Sequence, residues 1–191
     1  MDKIYNLSNN RKIVATEWGD LKDPMVIMLH GGGQTRHSWK GSAFKIANLG
    51  FHVITYDLRG HGESFWDENG DYSFNSHKGD LIEIIEQNNK KANLVGASLG
   101  GMISLSLAGH KQDKEYCASL TMVDIGIRPN DKGSERIISF MRSGIKGFST
   151  IEEAADAVSA YLPNRKRPKD TSGLEKNLRL GDDKRYYWHW D

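Results

Sequence analysis

The stretch GASLGG, residues 96–101, places one serine among small residues at the end of an apolar run. Gly-x-Ser-x-Gly between a strand and a helix is typical of a nucleophile on a tight turn, because small neighbours avoid the clashes that such a turn causes. Ser98 is therefore the candidate nucleophile, and the backbone N–H of Leu99 is a candidate oxyanion donor. A glycine loop that holds a phosphate is the alternative, but the Lys-Ser/Thr ending of such a loop is absent here.

The segments around this turn alternate between strand and helix patterns. Continuous apolar runs typical of buried parallel strands occur at 25–30, 51–57, 92–98 and 118–124. Segments long enough for crossover helices lie at 38–49, 74–89 and 99–110. Near the amino terminus, KIYNL and KIVATEW flank a Ser-Asn-Asn turn and predict a hairpin. Together these patterns predict an α/β fold with a doubly wound, mostly parallel sheet.

A triple glycine follows the first predicted parallel strand, in LHGGGQTRHSW at residues 29–39. Three glycines allow backbone N–H groups to approach a ligand closely, so we expect Gly32, with Gly33 as the second choice, to supply the other oxyanion donor. The candidate walls of a substrate pocket are Gln34, Trp39, Phe140 and Met141. Packing in a hydrophobic core is the alternative interpretation for these residues.

The pattern changes after Asp124. SERIISFMRSGIKGF (134–148) has apolar residues at helical spacing, and STIEEAADAVSAYL (149–162) opens with Thr150 three residues before Glu153, a capping-box signature. SGLEKNLRL (172–180) predicts a third, short helix. We therefore predict a core over residues 1–124 and a helical cap over residues 125–191.

Composition excludes several classes of function. The net charge is +1, from 26 Lys+Arg against 25 Asp+Glu, which gives no basis for binding nucleic acid or an anionic membrane surface. The single cysteine, Cys117, predicts neither a disulfide nor a cysteine-based metal cluster. No signal peptide and no apolar run of about 20 residues is found. The sequence predicts a cytoplasmic protein without cofactor or metal.

Four motifs together resemble the α/β-hydrolase superfamily in their order and spacing: VIMLHGGGQTRHSW, VITYDLRGHGES, LVGASLGG and LTMVDI. The chain resembles the cap-bearing branch of small-molecule hydrolases. This resemblance implies that Ser98 attacks a small ester, a lactone or a carbon–carbon bond without a cofactor. Haloperoxidase-type perhydrolysis and non-catalytic binding of a small molecule are the alternatives. Haloalkane dehalogenases and most epoxide hydrolases carry aspartate at this position, which disfavours those activities.

The same resemblance implies an acid and then a histidine after the nucleophile. Only His110 and His189 follow Ser98. His110 ends a predicted helix and His189 has no predicted strand before it. Neither has the position that the resemblance implies for the base, so the sequence does not identify the base. Asp124 is the candidate acid, with a structural role at the start of the cap as the alternative. We expect His30 to brace the glycine segment and Asp57 to hold the RGHG turn at residues 59–62.

These gaps predict a truncated hydrolase chain that lacks the last two strand–helix units, about 60–80 residues. The missing strands would cover the edge of the strand at 118–124. We expect that edge to be exposed and to allow self-association.

Overall fold

A computed structural model describes residues 1–126, 131–162, 164, 167 and 169–191, with side chains in the helix that begins at residue 131 described from residue 137 onward. The chain forms two compact units, residues 1–127 together with Asp191, and residues 128–190. The sequence predicts a boundary three residues earlier, at 124/125. No helix in the described parts of the chain is long and apolar enough to cross a membrane.

The first unit contains six strands and three α-helices among its described residues. The strands are β1 (Asp2–Asn6), β2 (Lys12–Trp18), β3 (Met25–Leu29), β4 (His52–Tyr56), β5 (Ala92–Ala97) and β6 (Cys117–Val123). The helices are α1 (Lys40–Ala47), α2 (Phe74–Asn88) and α3 (Leu99–Gly109), with short 3₁₀ segments at Ser8–Asn10, Arg36–Trp39 and Lys114–Tyr116.

The strands form one sheet in the order β1-β2-β4-β3-β5-β6. β2 is antiparallel to β1 and β4, whereas β4, β3, β5 and β6 run parallel to one another. From β3 the chain goes first to one neighbour, β4, and later to the other, β5. Ligands of open α/β sheets bind at the carboxyl ends of the strands beside such a reversal. The reversal brings together the segments that follow β3 and β5, which carry the triple glycine and Ser98.

Helices cover both faces of the sheet, as β3 illustrates. Its Ile27 and Leu29 belong to a hydrophobic cluster with residues of α2 and α3 such as Leu81 and Ile103. Val26 and Met28 belong to a second cluster with Ala43 and Ile46 of α1. Successive residues of a strand point to opposite faces, so this alternation requires a helix layer on each side. The predicted doubly wound, mostly parallel fold is confirmed.

The second unit contains α4 (Asp131–Ser143), α5 (Ile151–Tyr161), α6 (Ser172–Glu175), β7 (Leu178–Leu180) and β8 (Tyr186–Trp188). The hydroxyl of Thr150 accepts a hydrogen bond from the N–H of Glu153 at 3.1 Å, and the Glu153 carboxylate accepts from the N–H of Ser149 at 2.6 Å. The predicted capping signature therefore starts α5.

Two expectations about this unit are wrong. The predicted helix over 172–180 ends at Glu175, because Leu178–Leu180 pairs antiparallel with Tyr186–Trp188. A strand therefore does precede His189. Three-residue strands are too short to show a period of two, and the pairing depends on a turn in which Lys184 has a φ of 61°.

Candidate active site

Ser98 lies on the tight turn between β5 and α3, with a φ of 47° and a ψ of −114°. A positive φ is uncommon for a residue with a side chain and marks a strained backbone. Hydrogen bonds hold the turn on both sides, because the N–H of Ser98 donates to Val123 O at 3.3 Å and the N–H of Met102 donates to Ser98 O at 3.1 Å. The serine is thereby fixed at the carboxyl edge of the sheet, at the amino end of α3, and it is partly exposed.

The glycines beside Ser98 are required by close packing of the backbone. A Cβ on Gly96 would lie 2.3 Å from Gly100 O, and a Cβ on Gly100 would lie 2.5 Å from Leu29 O. Neither distance is compatible with a side chain. The Gly-x-Ser-x-Gly pattern therefore allows α3 to start directly against the end of β3.

The triple-glycine segment lies against Ser98. The N–H of Gly100 donates to His30 O at 3.2 Å, which joins the start of α3 to the end of β3. A Cβ built on Gly31 would lie 3.4 Å from Ser98 Cβ, and one built on Gly32 would lie 3.9 Å from Leu99 Cδ2. The serine and the glycine segment are thus in van der Waals proximity.

Most backbone N–H groups of this segment already have acceptors. The N–H of Gly31 donates to Gln34 Oε1 at 3.1 Å, that of Gly33 to His61 Nε2 at 3.1 Å, and that of Gln34 to Gly31 O at 3.1 Å. The N–H groups of Gly32 and Leu99 have no acceptor within the described parts of the chain. Two unpaired amides therefore belong to residues that border Ser98, whereas the amide of Gly33 is occupied.

Asp57 ties the glycine segment to the RGHG turn. Its carboxylate accepts hydrogen bonds from the N–H of Arg36 at 2.7 Å and of Glu63 at 3.0 Å, and pairs with the Arg36 guanidinium at 2.5 Å. Gly62 has to lack a side chain here, because a Cβ would lie 2.3 Å from Asp57 Oδ2. These contacts agree with the structural role that the sequence predicts for Asp57.

Asp124 follows β6 directly and lies beside Ser98 along the sheet edge, since Ala97 and Val123 are register partners. It is exposed and has a φ of 53°. No hydrogen bond joins Asp124 or the hydroxyl of Ser98 to a histidine among the described residues of the first unit. The role of Asp124 as the acid stays a prediction.

Four further histidines have other partners or positions. His110 directly follows α3 at the surface, with Nδ1 2.8 Å from Asp113 Oδ2. His52 is buried at the opposite, amino end of β4. His77 is buried in α2, where burial and the charge of Arg59 lower its pKa to about 3. In the second unit, the backbone N–H of His189 donates to Asn177 O at 2.9 Å.

The predicted pocket walls have contacts within their own units. Gln34 is exposed and braces Gly31, and Trp39 packs in the cluster beside α1. Phe140 stacks on Tyr161 with ring centroids 4.5 Å apart and packs in the core of the second unit, while Met141 is half-buried. Their part in a substrate pocket stays a prediction.

Comparison with known proteins identifies the family. A family model described as the alpha/beta hydrolase fold matches residues 24–178. The chain belongs to the α/β hydrolase family. An esterase of Mycobacterium tuberculosis is 31% identical over 185 residues, which cover 94% of this chain and 60% of that protein. A 3-hydroxybutyrate-oligomer hydrolase of Cupriavidus necator is 31% identical over 150 residues, which cover 76% of this chain and 48% of that protein.

Solved structures agree on the fold. An α/β hydrolase from Novosphingobium aromaticivorans superimposes with a TM-score of 0.86 at 22% identity, over 100% of this chain and 68% of that chain. This chain spans 60% and 48% of the length of the two curated relatives reported above.

One residue of this α/β hydrolase site, His61, is not predicted by the local sequence patterns. His61 lies within the RGHG turn at residues 59–62, and its ring accepts a hydrogen bond from the backbone N–H of Gly33. The two residues are 28 positions apart. No local pattern signals a contact between turns at that separation.

Proposed function

We propose that Ser98 is the nucleophile of a serine hydrolase that cleaves small-molecule carboxylic esters. Ser98 Oγ attacks the ester carbonyl carbon, and the N–H groups of Gly32 and Leu99 stabilise the oxyanion that forms. Collapse of this intermediate breaks the ester C–O bond, and the leaving oxygen takes the proton that Ser98 loses and departs as the alcohol. The acyl group left on Ser98 is then removed by water as the carboxylic acid. The observation that carries the proposal is the position of the strained Ser98 turn directly against a glycine segment with an unpaired amide.

The choice of an ester over a carbon–carbon bond is supported by the relatives. Two proteins with 31% identity are an esterase and an oligomer hydrolase of 3-hydroxybutyrate. The amino end of α3 also favours a developing negative charge, because the helix dipole is positive there.

We further propose that this chain is catalytically incomplete by itself, and that the histidine base comes from polypeptide outside the 191 residues. Two observations support this: the described part of the first unit has no histidine hydrogen-bonded to Ser98, and the chain covers 60% or less of the curated relatives reported above. Asp124, next to Ser98 on the sheet edge, is the proposed acid that would orient such a histidine.

The test is modification by a fluorophosphonate with and without added imidazole, which replaces a missing base. We expect slow modification at Ser98, located by peptide mass mapping, that imidazole accelerates by at least about 10-fold. Ser98→Ala should abolish the reaction, and Ser106→Ala on the same helix should leave it unchanged. Modification that is absent from Ser98 at high imidazole, or that persists in Ser98→Ala, would contradict the proposal.

A non-catalytic small-molecule binding protein is the second candidate. It is favoured by one observation, the absence of a histidine partner for Ser98 in the described residues of the first unit. This candidate predicts saturable binding of an ester. The ester should then be hydrolysed no faster with the protein than in imidazole buffer alone. Ser98-dependent hydrolysis would exclude it.

A further inference from the structure

The imidazole of His61 has both nitrogens fixed by the backbone. Its Nδ1 lies 3.0 Å from Arg59 O, and its Nε2 lies 3.1 Å from the backbone nitrogen of Gly33. A carbonyl oxygen only accepts a hydrogen bond, so Nδ1 carries the proton. A backbone N–H only donates, so Nε2 is unprotonated and accepts. The side chain is therefore a neutral imidazole in one defined tautomer, and it is buried.

His30 forms the reciprocal arrangement from the other side. Its Nδ1 lies 2.8 Å from Gly31 O, and its Nε2 accepts the N–H of Leu58 at 3.0 Å. The two rings are edge to face, with centroids 5.1 Å apart. Each histidine thus anchors itself to a carbonyl of its own turn and accepts an amide of the other turn. We call this pair, His30 and His61, the histidine clasp.

Two of the three amides of the triple glycine are paired with side chains. The N–H of Gly31 is taken by Gln34 and that of Gly33 by His61. Gly33 has a φ of +73°, so the chain reverses at this residue, and Gln34 N–H closes the turn on Gly31 O. Gly32 lies between two residues whose amides are fixed.

The surroundings of the histidine clasp favour neutral imidazole rings. Burial, followed by the nearby His61, lowers the pKa of His30 well below its usual value. Burial and the charge of Arg59 also lower the pKa of His77, the next histidine in this region. Neutral rings keep Nε2 available as an acceptor.

We propose that His61 is a positioning residue for the oxyanion site: by accepting the Gly33 amide it holds the glycine turn in the conformation that presents the Gly32 amide beside Ser98. This inference rests on the proposed function for its catalytic consequence. Its structural part, the coupling of His61 to the glycine turn, is independent of hydrolysis.

The structural part is tested by NMR on the ¹⁵N-labelled chain. We expect His61 to show a protonated Nδ1, an unprotonated Nε2 and a through-hydrogen-bond coupling between Nε2 and the Gly33 nitrogen. His61→Leu removes the acceptor and should shift the amide resonances of Gly32 and Gly33. His61→Gln places an acceptor near the position of Nε2 and should restore them. A protonated Nε2, or unchanged glycine resonances in His61→Leu, would overturn the inference.

The catalytic part is tested by imidazole-assisted acylation of Ser98, followed over a range of ester concentrations. We expect His61→Leu to lower the maximal rate constant by about 10- to 100-fold with little change in the half-saturating concentration. This is less than the about 10²- to 10³-fold cost of removing an oxyanion donor, because the Gly32 amide is displaced and not removed. His61→Gln should stay within a few-fold of the wild-type protein.

Failure of the proposed function and failure of the positioning role of His61 give different results. An unreactive Ser98 in the wild-type chain, with the His61–Gly33 coupling present, would contradict the proposed function but keep the structural inference. Acylation of His61→Leu at the wild-type maximal rate would overturn the positioning role while supporting the proposed function. The wild-type NMR experiment decides the structural part of the inference even if His61→Leu does not fold, and His61→Gln then tests the catalytic part.

Discussion

Ser98 keeps a backbone conformation that only glycine adopts without cost. Such a residue stores about 1–3 kcal/mol of strain, which persists when the surrounding structure leaves no alternative. At Ser98 the surroundings are the hydrogen bonds to Val123 and Met102 and the close contact between Gly100 and the end of β3. The strained turn is therefore a property of the site and not of the serine itself.

A prediction at the residue scale follows from this strain. Ser98→Gly should have a free energy of unfolding about 1 kcal/mol higher than Ser98→Ala, because glycine accepts a positive φ that alanine resists. Urea denaturation of the two variants measures the difference. Equal stability would mean that the turn is not strained in solution.

The Gly100 contact gives a second prediction. Gly100→Ala should destabilise the protein by about 1–3 kcal/mol, because the added Cβ meets backbone atoms that cannot move aside. The matched control is Gly79→Ala in α2, where a Cβ meets nothing within 4 Å. That change should be neutral or stabilising by up to about 1 kcal/mol. A Gly100→Ala protein as stable as Gly79→Ala would contradict the close packing of α3 on β3.

At the residue scale, the sequence predicts those parts of the site that lie within one local pattern. Ser98, Leu99 and Gly32 come from glycine patterns next to predicted strands, and the structure places them side by side. His61 could not be assigned its role, because its contact with Gly33 depends on how two separate turns meet. The occupied amide of Gly33 depends on the same contact.

At the scale of elements, Glu17 joins three strands of the sheet. Its carboxylate contacts Lys3 Nζ of β1 at 2.9 Å, the hydroxyl of Tyr5 of β1, and His52 Nε2 of β4 at 3.4 Å. Burial raises the pKa of Glu17, but contacts with His52, Tyr5 and Lys3 outweigh it and lower the pKa to about 2, from an ordinary value of 4.5. The charged form of Glu17 therefore stabilises the β1–β2–β4 side of the sheet.

The lowered pKa gives a pH dependence. A group with a depressed pKa contributes its full stability above its unfolded value and loses it as the pH falls through the folded value. We expect the free energy of unfolding to fall between pH 4.5 and about pH 2, and to fall less steeply in Glu17→Gln. Urea denaturation over this pH range, with the exposed Glu68→Gln as control, measures the slopes. Identical slopes for Glu17→Gln and the wild-type protein would contradict this role.

Elements differ in how far the sequence predicts them. The buried strands β3 to β5 and helix α2 follow from long apolar runs and a clear apolar stripe. β7 and β8 do not, since strands of three residues carry too few positions for a period to show. Helix α1 is also shorter than the predicted 38–49, because a 3₁₀ segment at Arg36–Trp39 precedes it.

At the scale of the whole molecule, β6 stands apart from the other parallel strands. β3 and β4 are buried at every position, whereas four of the seven residues of β6 are exposed: Ala118, Ser119, Thr121 and Val123. β6 pairs only with β5 in the described sheet, so one row of its backbone N–H and C=O groups has no strand partner there. Unpaired strand edges of this kind favour association with another chain.

We therefore predict concentration-dependent self-association through β6. A lysine on an edge strand opposes pairing with another strand, so Thr121→Lys should shift the protein towards monomer. Asn69→Lys, in an exposed loop, adds the same charge away from the edge and should not. Light scattering coupled to size-exclusion chromatography compares the two. A wild-type chain that is monomeric at high concentration would contradict the prediction.

The strand order could not be read from local patterns, since it depends on which strands meet after the chain collapses. The fold class, in contrast, follows from the alternation of apolar strand runs with helical segments, and the four motifs that resemble the α/β-hydrolase superfamily agree with it.

The central claim is that Ser98 attacks a carbonyl whose oxygen is bound by the amides of Gly32 and Leu99. The most direct measurement is a crystal structure of the chain after reaction with a fluorophosphonate. We predict phosphorus bonded to Ser98 Oγ, with its phosphoryl oxygen about 2.7–3.1 Å from both backbone nitrogens. An adduct on another residue, or an adduct on Ser98 whose oxygen contacts neither amide, would contradict the claim.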